Sequence, residues 1–359
     1  MNATLAQWAK AMFKLLLDIT RPIFGLTVRR PTLFISGRYL YDTRGQKIIL
    51  RGVNLPLLDD WDFPRSDKLT ELEHTGANAI RIEWYKDYGN QDRPPYTITD
   101  LDNFLTKCKT NRMIPILGLW DLTCNNNPSL LNSQLISWWT TNPVLTVLKK
   151  HQQYLIINLA NELGVYRWAG DNATQQATAL TDFKNAYKSA ITSIRSAGLN
   201  MPIMIDAPDC GTSIHAFTSI GQELINHDPK HNLLLSVHAY WADYDGTAEI
   251  HNAVNAKLPL VFGEIANKQA NEGDECYFDL DGTNQNKSSP TGFTYQSLLA
   301  TLKTNDIGWL AWSWGPDGCA NRRISGNGSF GNLTTYGQDI VNNAAYGLKK
   351  TAVRSSMFP

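Results

Sequence analysis

Eight short apolar runs recur along this chain, and that rhythm limits its fold more than any other feature. They lie near Ile48–Val53, Ala77–Trp84, Met113–Trp120, Tyr154–Leu159, Met201–Asp206, Leu233–Tyr240, Leu258–Gly263 and Ile307–Trp314. Stretches of helical periodicity separate them, among them Ile98–Cys108, Thr174–Ala197 and Thr294–Thr304. Two of the connections stop at a glycine just before the next run, in Thr75-Gly76-Ala77 and Ala197-Gly198-Leu199. Short apolar strands alternating with helices read as parallel β-α-β units. Eight of them predict an α/β fold, a (β/α)8 TIM barrel, with a doubly wound sheet as the alternative.

The ends of the chain refine this picture. In residues 1–30, Leu5, Trp8, Met12, Leu15, Leu16 and Ile19 recur at helical spacing before Thr20, Pro22 and Gly25 break the pattern. Asp18 and the scattered lysines fit poorly with the apolar core of a cleavable signal. The expectation is an N-terminal helical extension packed on the main domain; a degraded targeting segment or a surface anchor is the alternative. Phe34–Tyr41, a turn at Asp42-Thr43-Arg44-Gly45 and Lys47–Val53 read as a β-hairpin closing the bottom of the barrel. Residues 31–359 then form one catalytic domain, without a linker or repeat.

Composition excludes several function classes. Lys plus Arg and Asp plus Glu are each 33, so formal charge is zero. There is no basic excess for nucleic-acid phosphates, so no nucleic-acid partner is expected. No run of about 20 apolar residues suggests stable membrane insertion. The five cysteines show no C-x-x-C spacing, which argues against structural zinc. Cys276 and Cys319 both fall in late loops and could pair, but spacing alone leaves open whether they are bridged.

A barrel enzyme carries its chemistry at the C-terminal ends of its strands. Read in order, those ends are Asn54, Arg81 to Trp84, Trp120-Asp121, Asn161-Glu162, Asp206, His238 to Tyr240, Glu264, and Trp312 to Trp314. Two apolar runs end in a lone carboxylate, Glu162 and Glu264, and burying such a group is costly without a partner or a role. Carboxylates about 5–5.5 Å apart are what a retaining glycosidase needs, one ionised and one protonated. Arg81 is suited to hold one ionised, while burial raises the pKa of the other. Trp120, Trp312 and Trp314 offer flat apolar faces for sugar rings.

Arg81, Asn161-Glu162, His238-x-Tyr240, Glu264 and Trp312, in this order and spacing, resemble glycoside hydrolase family 5 over roughly residues 33–350. The resemblance implies Glu162 as acid/base and Glu264 as nucleophile. It implies Asn161 on the sugar 2-hydroxyl, Arg81 and Tyr240 orienting the nucleophile, His238 near the acid/base, and Trp312 beneath the reacting sugar. It also implies an endo-acting enzyme on a β-linked polysaccharide or oligosaccharide, with no cofactor or metal. Ile157 to Glu162, Ile205 to Pro208, Ser213-Ile214-His215 and Gly308 to Trp314 look similar to bacterial β-mannanases. Many family members end strand 3 in His-Asp, whereas this chain has Trp120-Asp121. On that departure the expectation is a secreted or cell-envelope, monomeric endoglucanase, with β-mannanase as the alternative. A non-catalytic carbohydrate-binding barrel is the alternative of another class, and a metal-dependent barrel hydrolase is a third.

Other motifs read as structural. Gly326 to Gly331 fits G-x-G-x-x-G, but no obvious helix follows, so a glycine-rich loop is expected. His227 and His231 have metal-ligand spacing, yet Asp228-Pro229 between them points to a surface turn. Asp279 to Asn284 resembles a calcium loop without its terminal Glu. Trp138-Trp139 reads as core packing, with a distant sugar subsite as the alternative. Asn2, Asn172, Asn286, Asn327 and Asn332 head N-x-[ST] sequons.

Overall fold

A computed structural model describes residues 30–58, 68–86, 96–241, 244–270, 276–281, 293–315 and 317–359. The N-terminal extension, the sequons at Asn2 and Asn286, and residues 282–284 of the calcium-like segment lie outside the described residues. Three short strands come first, β1 (Phe34–Ser36), β2 (Tyr39–Tyr41) and β3 (Lys47–Ile48). The barrel strands are β4 (Arg51–Leu55), β5 (Ala79–Trp84), β6 (Ile114–Leu119), β7 (Ile156–Asn158), β8 (Ile203–Asp206), β9 (Leu233–His238), β10 (Leu260–Ile265) and β13 (Gly308–Ala311). Between the last two lies an antiparallel pair, β11 (Lys268–Ala270) and β12 (Cys276–Asp279).

The eight barrel strands close in parallel, in the order β10-β13-β4-β5-β6-β7-β8-β9. This is the expected (β/α)8 barrel, and each expected run supplies one strand. The helices expected near Ile98, Thr174 and Thr294 are Ile98–Thr110, Ala173–Ser196 and Tyr295–Thr304. Each starts on a side-chain cap, from Thr97, Asn172 and Thr294.

The hairpin expectation needs one correction. Phe34–Tyr41 is not a single strand, because Gly37 turns it back at a φ of 60°. The result is an antiparallel sheet in the order β1-β2-β3. It still closes the bottom, since Leu40 and Ile48 pack with Ala79, Ile114, Ile156, Met204, Leu234 and Leu310 in one apolar cluster. Phe358, near the end of the chain, joins that cluster.

Strand residues alternate between the barrel lumen and the surrounding helices. Outward residues such as Ile80, Ile82, Ile157, Ile205, Leu235 and Phe262 pack in a separate cluster with the helices. Inward residues change character along each strand. Ala79 is followed two residues on by Arg81, Ile156 by Asn158, Met204 by Asp206, and Leu234 by Ser236 and His238. The lumen is therefore apolar at the bottom and polar at the mouth.

Other sequence readings also resolve. Trp139 is buried and donates its indole N–H to the Leu159 carbonyl (3.1 Å), which makes it core. The helix Ile214–His227 ends at His227, and His231 sits in the turn that follows. Gly326 to Gly331 is a loop that runs into a short 3-10 turn at Phe330–Asn332, with an isolated bridge between Ser325 and Leu333. Cys276 and Cys319 are disulfide-bonded.

Candidate active site

Arg81 organises the mouth. It is fully buried, at 0% exposure, and spends its donors on five side chains. Nη1 donates to Glu264 Oε1 (2.8 Å) and Asn54 Oδ1 (3.0 Å). Nη2 donates to Asn161 Oδ1 (2.6 Å), Asp206 Oδ2 (3.0 Å) and Asn158 Oδ1 (2.8 Å), and Nε also reaches Asn158 (3.1 Å). The planar guanidinium fork thereby ties β4, β5, β7, β8 and β10 together.

Glu264 and Glu162 face one cavity of about 500 Å³ at the mouth. Both are nearly buried, at 4% and 8% exposure. Glu264 is held at both oxygens, by Arg81 and by the Tyr240 hydroxyl, which donates to Oε2 (2.8 Å). Glu162 has a left-handed backbone, with φ 51° just beyond β7. Its backbone N–H donates to Asp206 Oδ2 (3.3 Å), and its Oε1 accepts from His238 Nδ1 (2.7 Å). Oxygens of the two glutamates and a nitrogen of His238 lie within 4.8 Å of one another.

The two acids have opposite surroundings. Glu264 rests on a cation. The Glu162 pKa is raised: burial is the largest cause, the His238 contact opposes it, and the Glu264 and Asp206 charges add to it. Glu162 Oε2 lies 3.1 Å from Cys124 Sγ, and Cys124 is disulfide-bonded to Cys210. A disulfide sulfur has no hydrogen to donate, so it excludes water from the carboxylate without solvating its charge.

His238 is also buried. Burial alone would depress it, but the charges of Glu264 and Asp206 outweigh that and raise its pKa to about 10. Its Nε2 lies 3.5 Å from Asp206 Oδ1. Burial opposes ionisation of Asp206, yet Arg81 and His238 hold it well below the usual carboxylate range. The imidazole fits only because two neighbours lack side chains. A Cβ on Gly263 would sit 2.8 Å from His238 Nε2, and one on Gly211 2.6 Å from its Cγ.

Among the described residues the cleft holds two groups close enough to be metal-ligand trios: Cys124, Glu162 and Cys210, whose sulfurs are joined in a disulfide, and Glu162, His238 and Glu264. An imidazolium has no lone pair for a cation and Arg81 already neutralises Glu264, so the donors do not suit one.

The aromatic residues divide. Trp120 and Trp312 line the cavity and stack on each other, with centroids 5.2 Å apart and planes 19° apart. That leaves no room for a sugar between them, so they form one continuous wall. Arg81 lies 5.2 Å from the Trp120 ring centroid. The Trp312 indole N–H donates to Asp317, whose carboxylate also binds Arg322. Arg322 lies over the Tyr240 ring. Trp314 does not belong to the site: it is 0% exposed and packed in the outer core, two residues past Trp312 but beyond the end of β13.

Asn161, His238, Tyr240, Trp312, Trp120, Arg81 and both glutamates thus come together as expected from sequence. Sequence reasoning left Asp206 and Asn54 at strand ends without a role and gave none to Asn158. The two-residue period from Met204 and Ile156 places Asp206 and Asn158 in the lumen. The Cys124–Cys210 bridge, Trp168 and Arg322 carried no spacing signal.

A parallel eight-stranded barrel with two buried carboxylates this close, at the C-terminal ends of its strands, has the architecture that retaining glycosidases use. Residues 41–318 match the model described as Cellulase (glycosyl hydrolase family 5). The chain belongs to that glycoside hydrolase family. It is 26% identical over 334 residues to a mannan endo-1,4-beta-mannosidase of Cellvibrio japonicus, covering 90% of this chain and 69% of that one. It is 27% identical over 337 residues to a mannan endo-1,4-beta-mannosidase of Salipaludibacillus agaradhaerens, covering 90% and 95%. The fold resembles that of a β-mannanase of Thermomonospora fusca solved with mannohexaose. There the TM-score is 0.73, the identity 22%, and the coverage 92% of this chain and 100% of that one.

Proposed function

We propose that this chain is a retaining, endo-acting β-1,4-mannanase. The observation that carries the chemistry is the pair of buried glutamates within 4.8 Å, one on Arg81 and the other with a raised pKa. Glu264 attacks the anomeric carbon while Glu162 gives its proton to the glycosidic oxygen, and the leaving sugar departs as an alcohol. Water then loses a proton to Glu162, its oxygen bonds the anomeric carbon, and the Glu264 carboxylate is released. Arg81 and Tyr240 hold the nucleophile, Asn161 faces the sugar, and the Trp120–Trp312 wall takes an apolar sugar face.

Mannan replaces glucan as the main reading because the relatives reported above carry mannanase names. On this reading Trp120 builds the wall and does not mark a glucan enzyme. The domain assignment is part of the proposal, with residues 31–359 catalytic and 1–30 an extension. Extracellular action is supported by two disulfides, which persist in oxidising compartments. Among the described residues no helix is long and apolar enough to cross a membrane.

The test is reducing-sugar release from galactomannan, carboxymethyl cellulose and mixed-linkage β-glucan, with Glu264→Gln as control. Release from galactomannan alone, abolished by the substitution, is expected. Release confined to the glucans restores the endoglucanase reading. Full turnover by the variant would remove Glu264 from the mechanism. Binding without release from any polymer would favour a non-catalytic barrel.

A further inference from the structure

The acid/base defines the side of the cavity on which the departing sugar must lie, because Glu162 protonates that sugar's oxygen. Thr123, the Cys124–Cys210 disulfide, Thr212 and Trp168 line the cavity together with Glu162, and the disulfide lies directly against that carboxylate. Trp168 is 59% exposed and, with Val353, one of two large hydrophobic residues so exposed among those described. An indole left in water needs a reason.

Its backbone is held firmly. Asp209 is fully buried, with a φ of 59°. Its carboxylate accepts the backbone N–H groups of Tyr166 (2.7 Å), Arg167 (3.0 Å) and Trp168 (3.4 Å). Its own N–H donates to the Gly164 carbonyl (2.9 Å). The next residue, Cys210, is bridged to Cys124 beside Glu162. The loop that follows the acid/base is thus tied to the loop after β8, and that loop to the one after β6. The pinned segment carries its aromatic side chain at the edge of the cleft.

We propose that Trp168 is the platform for the first leaving-group sugar of a β-linked hexopyranose chain, with the disulfide as the floor of that subsite. The inference rests on the proposed retaining mechanism and adds the residue that selects for a sugar, over a small leaving group, on the Glu162 side. The same platform would hold an acceptor sugar during the second half-reaction. The acceptor hydroxyl would then bond the anomeric carbon, lose its proton to Glu162 and release Glu264, giving transglycosylation in place of hydrolysis.

The test compares wild type, Trp168→Ala and Trp168→Phe on two substrates of the sugar series selected by the polymer screen. One is the β-linked pentasaccharide. The other is the glycobiosyl fluoride, whose leaving atom is too small to reach Trp168. The ratio of pentasaccharide to fluoride kcat/KM is expected to fall roughly tenfold in Trp168→Ala and to recover largely in Trp168→Phe. Added disaccharide should give transfer products with wild type and far fewer with Trp168→Ala. An unchanged ratio, or equal losses on both substrates, overturns the inference while leaving the mechanism standing. Wild type inert on both substrates overturns the mechanism and this inference with it.

Discussion

The two ends of the barrel lumen are built from the same strands and obey opposite rules. At the bottom, Ala79, Ile156, Met204 and Leu234 meet Leu40, Ile48 and Phe358 in a cluster of interchangeable apolar contacts. Two to four residues further along the same strands, Arg81, Asn158, Asp206 and His238 form a network with assigned partners. The bottom gains stability from burial, which is non-directional. The mouth spends stability to keep charged groups dry, and each depends on its neighbours' charges. Substitutions on the same strand should therefore differ sharply with depth.

The largest difference is expected on β8. Asp206→Ala leaves Arg81 and His238 buried with one counter-charge fewer, and should cost about 3–5 kcal/mol of unfolding free energy. Denaturant unfolding monitored by tryptophan fluorescence measures it, and a cost below that of a surface substitution would sink the network account. Next comes the Cys124–Cys210 bridge, which closes a separation of 86 residues. Replacing both cysteines by serine should cost about 2–4 kcal/mol. It should also admit water to Glu162, lowering its raised pKa and moving the alkaline limb of kcat/KM to lower pH. A limb that stays in place would separate the bridge from the acid/base.

A third test uses Glu83, buried two residues above Arg81 with Oε1 accepting from the Tyr85 hydroxyl (2.6 Å) and Oε2 without a hydrogen-bond partner among the described residues. Burial chiefly raises its pKa, to about 7 against an ordinary 4.5. The fold therefore favours the neutral acid, and that preference is satisfied below about pH 4.5 and lost as pH rises through 7. Glu83→Gln should remove this loss. Its advantage over wild type should grow between pH 4.5 and 7 to at most about 3 kcal/mol, then level off. His238 acts higher on the scale: the stability it draws from Glu264 and Asp206 is complete below pH 6.5 and lost as pH rises through about 10. A Glu83→Gln difference that is flat with pH would show that the carboxyl ionises freely in the fold. The smallest effect belongs to the bottom, where Met204→Leu, two residues before Asp206, should cost less than about 1.5 kcal/mol.

The same contrast explains what was legible in the sequence. The barrel was legible because apolar runs of strand length repeat and several of the intervening helices announce a cap or a glycine stop. Glu162 and Glu264 were legible because a lone acid after an apolar run breaks the pattern. Asp206 broke it in the same way, but its partners Arg81 and His238 lie on other strands, and only closure of the barrel brings them together. The Cys124–Cys210 bridge depends on two loops meeting around Glu162, which no linear spacing encodes. Trp314 shows the reverse error: it shares a short motif with Trp312, yet the backbone past β13 carries it into the core. Gly37 split an apparent strand because its turn is set by a single positive φ within an otherwise extended run.

The sealed floor gives the molecule a front and a back. Phe358 sits edge-on to Tyr154 beneath the lumen, and Ser355 donates to Asp42 in the segment that joins the floor strands. Residues 355–358 therefore lie at the pole opposite the cleft. An enzyme anchored to a bead or an electrode through that pole would turn its opening toward the medium, where a long polymer can reach it. The same coupling through a residue beside Trp168 would turn the opening against the support.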